Sequence, residues 1–208
     1  MKVELLAITP NAEKLIERAA RVCYRSGAKA GPGTDKELIP RLIKSGHHSA
    51  LEHASASFLL GEVSRSLTHQ LVRHRLCSYS QQSQRFVNEM NFHFVEPRSV
   101  AKNPEAHRIF EEFMADARTA YAELQRLEIK GEDARFVLPN AVCSEIVISA
   151  NFRELRHIFC LRCDPHAQWE IRNVAIEMLR IMKKEAPSVF GDFVIDETTN
   201  TASTPFPS

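Results

Sequence analysis

Between Arg73 and Arg85 the chain reads RHRLCSYSQQSQR. Arg73, His74 and Arg75 stand in a row. Ser78, Tyr79, Ser80, Gln81, Gln82, Ser83 and Gln84 follow as hydroxyls and amides, and Arg85 closes the run. Guanidinium forks beside a dense set of donors and acceptors suit an anionic, hydrogen-bonding ligand. The run has neither Gly nor Pro, so it does not read as a flexible linker. A helix is expected to lead into it, capped by Ser64 and ending at Arg75. Val63, Leu67 and Leu71 form its apolar stripe, and Gln70, Arg73 and His74 share another face. The plain structural account is that Arg73 to Arg75 complement the helix's negative end, worth about 0.3–1 kcal/mol each. That leaves the seven polar residues and Arg85 unexplained.

A second group lies in NFRELRHIFCLR, Asn151 to Arg162, a helix with Asn151 as N-cap and Phe152, Leu155, Ile158 and Phe159 as its apolar face. His157, Cys160, Cys163 and His166 spell HxxCxxCxxH, yet four ligands this close in sequence leave little loop to close a tetrahedron. HHSALEH, His47 to His53, also invites a metal. His48 and His53, however, fall on different faces of a helix and opposite faces of a strand, and HxxxEH is one residue longer than HxxEH. Ser83 has no evident oriented base beside it, so nucleophilic catalysis there is disfavoured. Cys77, two residues after Arg75, is the other nucleophile by residue type, and it lacks a Pro-Cys-His setting.

Arg73-His74-Arg75, seven residues, then Ser83, resembles the signature of the flavin-dependent thymidylate synthases. The flanking SRSLTHQLV (Ser64 to Val72) and RFV (Arg85 to Val87) resemble it too, as does a second block, LRCDPHAQWEI, Leu161 to Ile171. Ser80 and Gln81 depart from some members, which carry Asn and Glu there. The resemblance implies reductive methylation of dUMP to dTMP, with 5,10-methylenetetrahydrofolate supplying carbon, FAD carrying the hydride and NADPH as reductant. It implies Arg162 as the catalytic cation that activates the uracil ring. It implies dUMP contacts from Gln70, Leu71, Val72, Arg73, Gln81, Gln82, Ser83, Gln84, Arg85, Arg135 and Arg162. FAD contacts are implied at His47, Ser49, Arg73, His74, Arg75, Gln81, Asn151, Arg153 and His157. In GEDARFVLP, Gly131 to Pro139, Glu132 precedes the Arg135 that would reach the nucleotide; alone, the two read as an ordinary surface ion pair. A homotetramer with active sites shared between subunits is also implied, with no metal.

Composition narrows the alternatives. The chain has 208 residues, 44% of them hydrophobic, and a formal net charge of +1. A real core is expected, without the broad basic field that a nucleic-acid polymer or a membrane surface would need. Neither a signal peptide nor an apolar run of membrane-spanning length is visible, and five cysteines without framework spacing point to reduced thiols in the cytoplasm. No GxGxxG follows a strand and no GxxxxGK[ST] occurs; GAKAGPG, Gly27 to Gly33, reads as a mobile loop.

The elements that must position these groups follow from periodicity. Strands are expected at 3–9, 54–60, 91–95 and 141–149, and helices at 11–23, 35–45 (bent at Pro40 and ended by Gly46), 104–127 and 169–184. The 104–127 helix carries a broad face of Ile109, Phe110, Phe113, Ala117, Ala120, Tyr121 and Leu124, suited to core or subunit interface. The expected class is α+β, a largely antiparallel sheet flanked by long helices without a Rossmann motif. One domain is expected over 1–195, with a disordered tail over 196–208. Two other function classes stay open on residues alone. One is a metal-dependent hydrolase using His47, His53 or the HxxCxxCxxH run; the other is a non-catalytic nucleotide- or RNA-binding module using Arg73 to Arg85.

Overall fold

The computed structural model describes residues 1–206. In chain order the elements are β1 (Lys2–Ile8), α1 (Ala12–Val22), α2 (Thr34–Lys44), β2 (Ser55–Ser64), α3 (Arg65–Leu71), β3 (Cys77–Gln81), α4 (Arg98–Ala101) and α5 (Pro104–Arg126). They continue with α6 (Gly131–Ala134), β4 (Cys143–Asn151), α7 (Phe152–Arg162), α8 (Trp169–Glu185), α9 (Pro187–Phe190), β5 (Val194–Asp196) and β6 (Thr201–Ser203). Four strands form a sheet in the order β1-β2-β4-β3, and β5 pairs antiparallel with β6. The architecture is α+β, mixed helix and antiparallel sheet. No helix of the described residues is long and apolar enough to cross a membrane.

The chain divides into two compact units. The first comprises Met1–Lys2, Gly61–Gln70 and Ser80–Ile146; the second comprises Val3–Leu60, Leu71–Tyr79 and Val147–Ser208. In the first, Phe92, Met114, Ala117 and Val142 form the buried cluster, with Phe94, Phe110, Leu138 and Ala141 packed against it. In the second, Phe152, Phe159, Phe190 and Phe193 meet edge to face at centroid separations of 5.3–6.1 Å. Each such pair contributes roughly 0.5–1.5 kcal/mol beyond the area it buries. Beside these rings Arg156 is fully buried, with its guanidinium 4.9 Å from the Phe193 ring centroid and paired to Asp192 at 2.7 Å.

Local chemistry accounts for most boundaries. Ser64 Oγ accepts from Leu67 N at 3.0 Å and Asn151 Oδ1 from Glu154 N at 2.9 Å, so both expected N-caps form. Gly46 takes φ +73 past α2, the left-handed value that favours glycine. Asn103 caps α5, with Pro104 at its first turn.

Several expectations are corrected, and the α5 face and the Gly27–Gly33 loop gain detail. The helix over Ser64–Arg75 stops at Leu71, so Gln70, Arg73 and His74 do not share a helical face. The physical cause is Tyr79, whose hydroxyl donates to Leu71 O at 2.7 Å and His74 O at 2.9 Å, tying down carbonyls at the end of the helix and in the turn beyond it. The polar run holds a strand, β3, whose residues alternate between half-buried and exposed. Asn91–Val95 is not a strand; only Phe94 bridges to Val142, and the segment runs irregularly towards α4. Of the broad α5 face, Ala117 and Tyr121 are buried along with Met114, while Ile109 and Phe113 are more than half exposed. The Gly27–Gly33 loop contains a 3-10 turn, Gly27–Lys29, and Thr34 Oγ1 bonds both Gly31 N and Gly31 O. Within the tail expected to lack order, Thr201–Ser203 forms β6; the last two positions of that tail lie outside the described residues.

Candidate functional site

In the second unit the turn after α3 splits its three basic residues by side: Arg73 and Arg75 are exposed and His74 is buried. Arg162, in the last turn of α7, donates from Nε to His74 Nε2 at 2.9 Å. An arginine only donates, so Nε2 is the acceptor and the imidazole proton sits on Nδ1. That nitrogen faces Glu154 Oε1 at 3.6 Å, an electrostatic contact longer than a hydrogen bond. Burial, then the charges of Arg162 and His157, pull the His74 pKa down to about 4, so the ring is neutral near pH 7. Burial raises the Glu154 carboxyl, opposed by His157, and burial together with the nearby charge of Arg73 lowers the Arg162 guanidinium.

The carboxylate of Glu154 also faces Cys77 Sγ at 4.0 Å. Burial pushes that thiol up to about 11, leaving Cys77 protonated and a poor nucleophile. Asn151, Arg153 and His157 line one cavity of about 500 Å³ with Glu52, Leu76 and Glu154. Arg153 is exposed there and paired to Glu52 at 2.6 Å. His47 and Ser49 line a different cavity, about 130 Å³, with Cys23, Tyr24 and His53. Leu71 is buried and Val72 exposed where the helix ends.

In the first unit Gln81 Nε2 donates to Thr68 Oγ1 at 2.9 Å and Ser144 Oγ at 3.3 Å. Gln82 N donates to Glu145 O, and its Nε2 donates to Glu89 Oε1 at 3.1 Å. Ser83 Oγ accepts from Arg85 N at 3.2 Å, so this hydroxyl shapes a turn; Gln84 is buried and Gln70 Nε2 bonds Ser66 O. The expected Glu132–Arg135 ion pair is replaced by Glu132–Arg85 at 2.6 Å, while Arg135 Nε donates to the Glu132 carbonyl. A residue three positions on along a short helix turns its backbone-bonded guanidinium away, leaving the Glu132 carboxylate to Arg85. Close approach here depends on Gly131, where a Cβ would lie 2.9 Å from Arg85 O.

Four participants escape a reading of the sequence. Glu154 occupies the third helical position after the Asn151 cap, where N-x-x-E suggests a capping box, yet its carboxylate turns to His74 and Cys77. Tyr79 sits in the polar run and acts through its hydroxyl on backbone. Arg65 and Glu89 surround Gln82: Arg65 Nη1 donates to Gln82 O at 3.3 Å, and burial lowers the Arg65 guanidinium and raises the Glu89 carboxyl. Nothing in the local pattern of a charged residue announces its burial.

The histidine- and cysteine-rich runs do not converge. His48 is buried with Nε2 3.1 Å from Ile43 O, Cys163 is buried, and the His166 side chain is 94% exposed. Among the described residues the three-ligand grouping is Glu96, His107 and Glu111, outside both runs.

Comparison with known proteins gives the same direction. Residues 4–188 match the family model described as thymidylate synthase complementing protein. The chain is 44% identical over 200 residues to a flavin-dependent thymidylate synthase of Geobacter sulfurreducens, covering 92% of this chain and 86% of that one. It is 44% identical to the enzyme of that name from Nitratidesulfovibrio vulgaris, covering 91% and 85%, and 41% identical to that from Clostridium tetani, covering 91% and 85%. With a family model matched over residues 4–188 and relatives 44% identical along nearly its whole length, the chain belongs to the flavin-dependent thymidylate synthase family.

Proposed function

We propose that this enzyme converts dUMP to dTMP by reductive methylation, with 5,10-methylenetetrahydrofolate as carbon donor, FAD as the bound flavin and NADPH as reductant. The observation that carries the reading is the Arg162–His74 hydrogen bond, which joins the two sequence blocks of the family resemblance in one buried, neutral-histidine network. Residues 1–195 act as one functional domain, the assembly is a homotetramer with shared active sites, and the compartment is the cytoplasm.

The side chains present suit a flavin dinucleotide. Asn151, Arg153 and His157 give donors and a cation on one cavity wall, with Leu76 as an apolar surface. His47 and Ser49 offer further polar groups, and Arg73 and Arg75 expose guanidinium groups of the kind that neutralise a pyrophosphate. Gln81 completes the set, and His74, buried, acts on this ligand through the turn it anchors. When bound, the flavin supplies hydride chemistry that no side chain can.

For dUMP the phosphate is assigned to Arg73, Arg85 and Arg135, with amide and hydroxyl donors from Gln70, Gln82, Ser83 and Gln84. Gln81 reaches the base, and Leu71 and Val72 provide the chain where the nucleotide lies. Binding by Arg85 draws on its exposed ion pair with Glu132, which a phosphate can replace at small cost, about 0–1 kcal/mol. Arg162 holds its charge against the uracil carbonyl where negative charge develops, and anchorage through Nε keeps the guanidinium plane fixed.

The test is the visible spectrum of protein given FAD and freed of excess, with and without dUMP, followed by assay of dTMP formation. A retained flavin band that shifts with dUMP, and turnover needing all three substrates, is the expected result. No retained flavin and no turnover, with zinc found by elemental analysis, would overturn it in favour of a hydrolase.

A further inference from the structure

A cavity of about 910 Å³ lies between α1 and the Gly/Pro loop that follows it, apart from every residue assigned above. Lys14, Arg18, Arg21 and Arg25 line it, at spacings of four, three and four that put them along one side of α1 and its continuation. The carboxylate on its wall, Glu17, is committed elsewhere. It accepts from Arg21 Nε and Nη2 at 2.9 and 2.7 Å and from Thr34 Oγ1 at 2.6 Å. Lys14, Arg18 and Arg25 have no acidic partner among the described residues.

Two of these cations stand where helix physics disfavours them. Lys14 is in the first turn of α1, whose backbone dipole repels positive charge; the dipole explains Arg21, in the last turn, but not Lys14. Arg25 follows the helix with φ +46, the left-handed conformation that a glycine takes without strain. The turn itself is ordinary, with Arg25 N bonded to Val22 O and Ser26 N to Arg21 O. Both exceptions lie on one cavity wall, and local strain of this kind tends to cluster at binding sites. The rest of the lining is apolar, from Val22, Ala30 and Pro32.

We propose that this cavity binds a nucleotide carrying two or more phosphates. Arg18, Arg25 and Lys14 take the phosphate oxygens, and the base lies against Val22, Ala30 and Pro32. A bare anion would leave the apolar wall and most of the volume unused. Loop glycines at Gly27 and Gly31 sit on the rim, where a Cβ would meet no atom within 4 Å, so the loop has space to settle over a ligand. This chemistry has two sources, the dinucleotide reductant and a nucleoside triphosphate, and the site does not depend on how the flavin and dUMP are held.

Titration calorimetry on the intact protein, saturated with FAD and dUMP, tests it with NADP⁺, ATP and tripolyphosphate as separate probes. One nucleotide should bind per chain, and Arg18→Ala and Arg25→Gly should each weaken it by about tenfold or more. Arg25→Gly should at the same time raise the thermal midpoint, because glycine relieves the left-handed backbone; the two effects of opposite sign separate lost binding from lost folding. Preference for NADP⁺ names the reductant as the occupant, and preference for ATP names a triphosphate. Failure of both nucleotides to bind, affinity unchanged in both variants, or tripolyphosphate binding as tightly as either nucleotide (an adventitious anion only) would each overturn the proposal.

Discussion

Arg162 Nε and His74 Nε2 are 2.9 Å apart, and the bond between them assigns the histidine's tautomer and fixes one corner of the guanidinium. Replacing His74 with Ala removes that anchor without touching the charge. If Arg162 is the catalytic cation proposed above, the expected outcome is a fall in kcat of about 10²-fold, the cost of misplacing it. Arg162→Lys should lose at least as much, because a flexible ammonium cannot reproduce a planar fork. Steady-state dTMP formation at saturating dUMP checks both; wild-type kcat in His74→Ala would refute the anchoring role.

Acid should weaken the fold through the same residue. In the folded chain His74 titrates at about 4, below its ordinary 6.5, through burial and the charges of Arg162 and His157. Between those values the unfolded chain binds the proton and the folded chain does not, so stability falls as pH drops from 6.5 towards 4. Glu154, raised by burial, works in the opposite sense below its folded pKa and offsets part of the loss. Urea midpoints measured from pH 7 to 4.5 should fall more steeply for the wild type than for His74→Gln. Parallel curves would show that the histidine is not buried neutral.

Thiol chemistry should bypass the site. Burial holds Cys77 at about 11 and Cys163 at about 12, whereas Cys23 is exposed. Iodoacetamide at pH 7.5, followed by peptide mass mapping, should label Cys23 first and leave Cys77 and Cys163 unmodified. Cys77→Ser should keep turnover within about twofold. Complete loss of turnover in that variant would restore the cysteine as a nucleophile.

The largest single-residue loss of stability is expected at Arg156. Its guanidinium bonds both Asp192 oxygens, at 2.7 and 2.8 Å, and the carbonyls of Val189 and Phe206. Burial alone would raise the Asp192 carboxyl, but hydrogen bonds from Arg156 and Thr204 more than compensate and hold it low. Asp192→Ala leaves a buried cation unpaired and should cost about 3–5 kcal/mol in a urea titration. Arg156→Met, which fills the space without a charge, should cost less than Asp192→Ala; the reverse order would mean that packing dominates.

Gly131 offers a check on the first unit. A Cβ there would meet Arg85 O at 2.9 Å, so Gly131→Ala must push back the segment carrying Arg85. A loss of about 1–3 kcal/mol in stability is expected. If Arg85 serves the nucleotide phosphate, KM for dUMP should rise more than kcat falls. An unchanged KM would separate Arg85 from substrate binding.

What the sequence determined by itself was what short-range physics controls. Asn151 and Ser64 cap helices because their side chains reach orphan amides a few residues on, and the apolar spacing of α7 and α8 marks the faces they bury. The motif order from His47 to Ile171 likewise pointed to the family before any coordinate was needed, since the residue types and intervals of a site survive as text. Only the tertiary structure decided where α3 ends, because the Tyr79 hydroxyl reaches Leu71 and His74 after a strand has folded back. Only it chose Arg85 over Arg135 as the partner of Glu132, and sent Glu154 to His74 rather than to its own helix end. A long polar side chain has many partners within reach of its stem. Which one it takes depends on residues brought near by folding and on the solvent that folding removes, and neither quantity is written in local spacing.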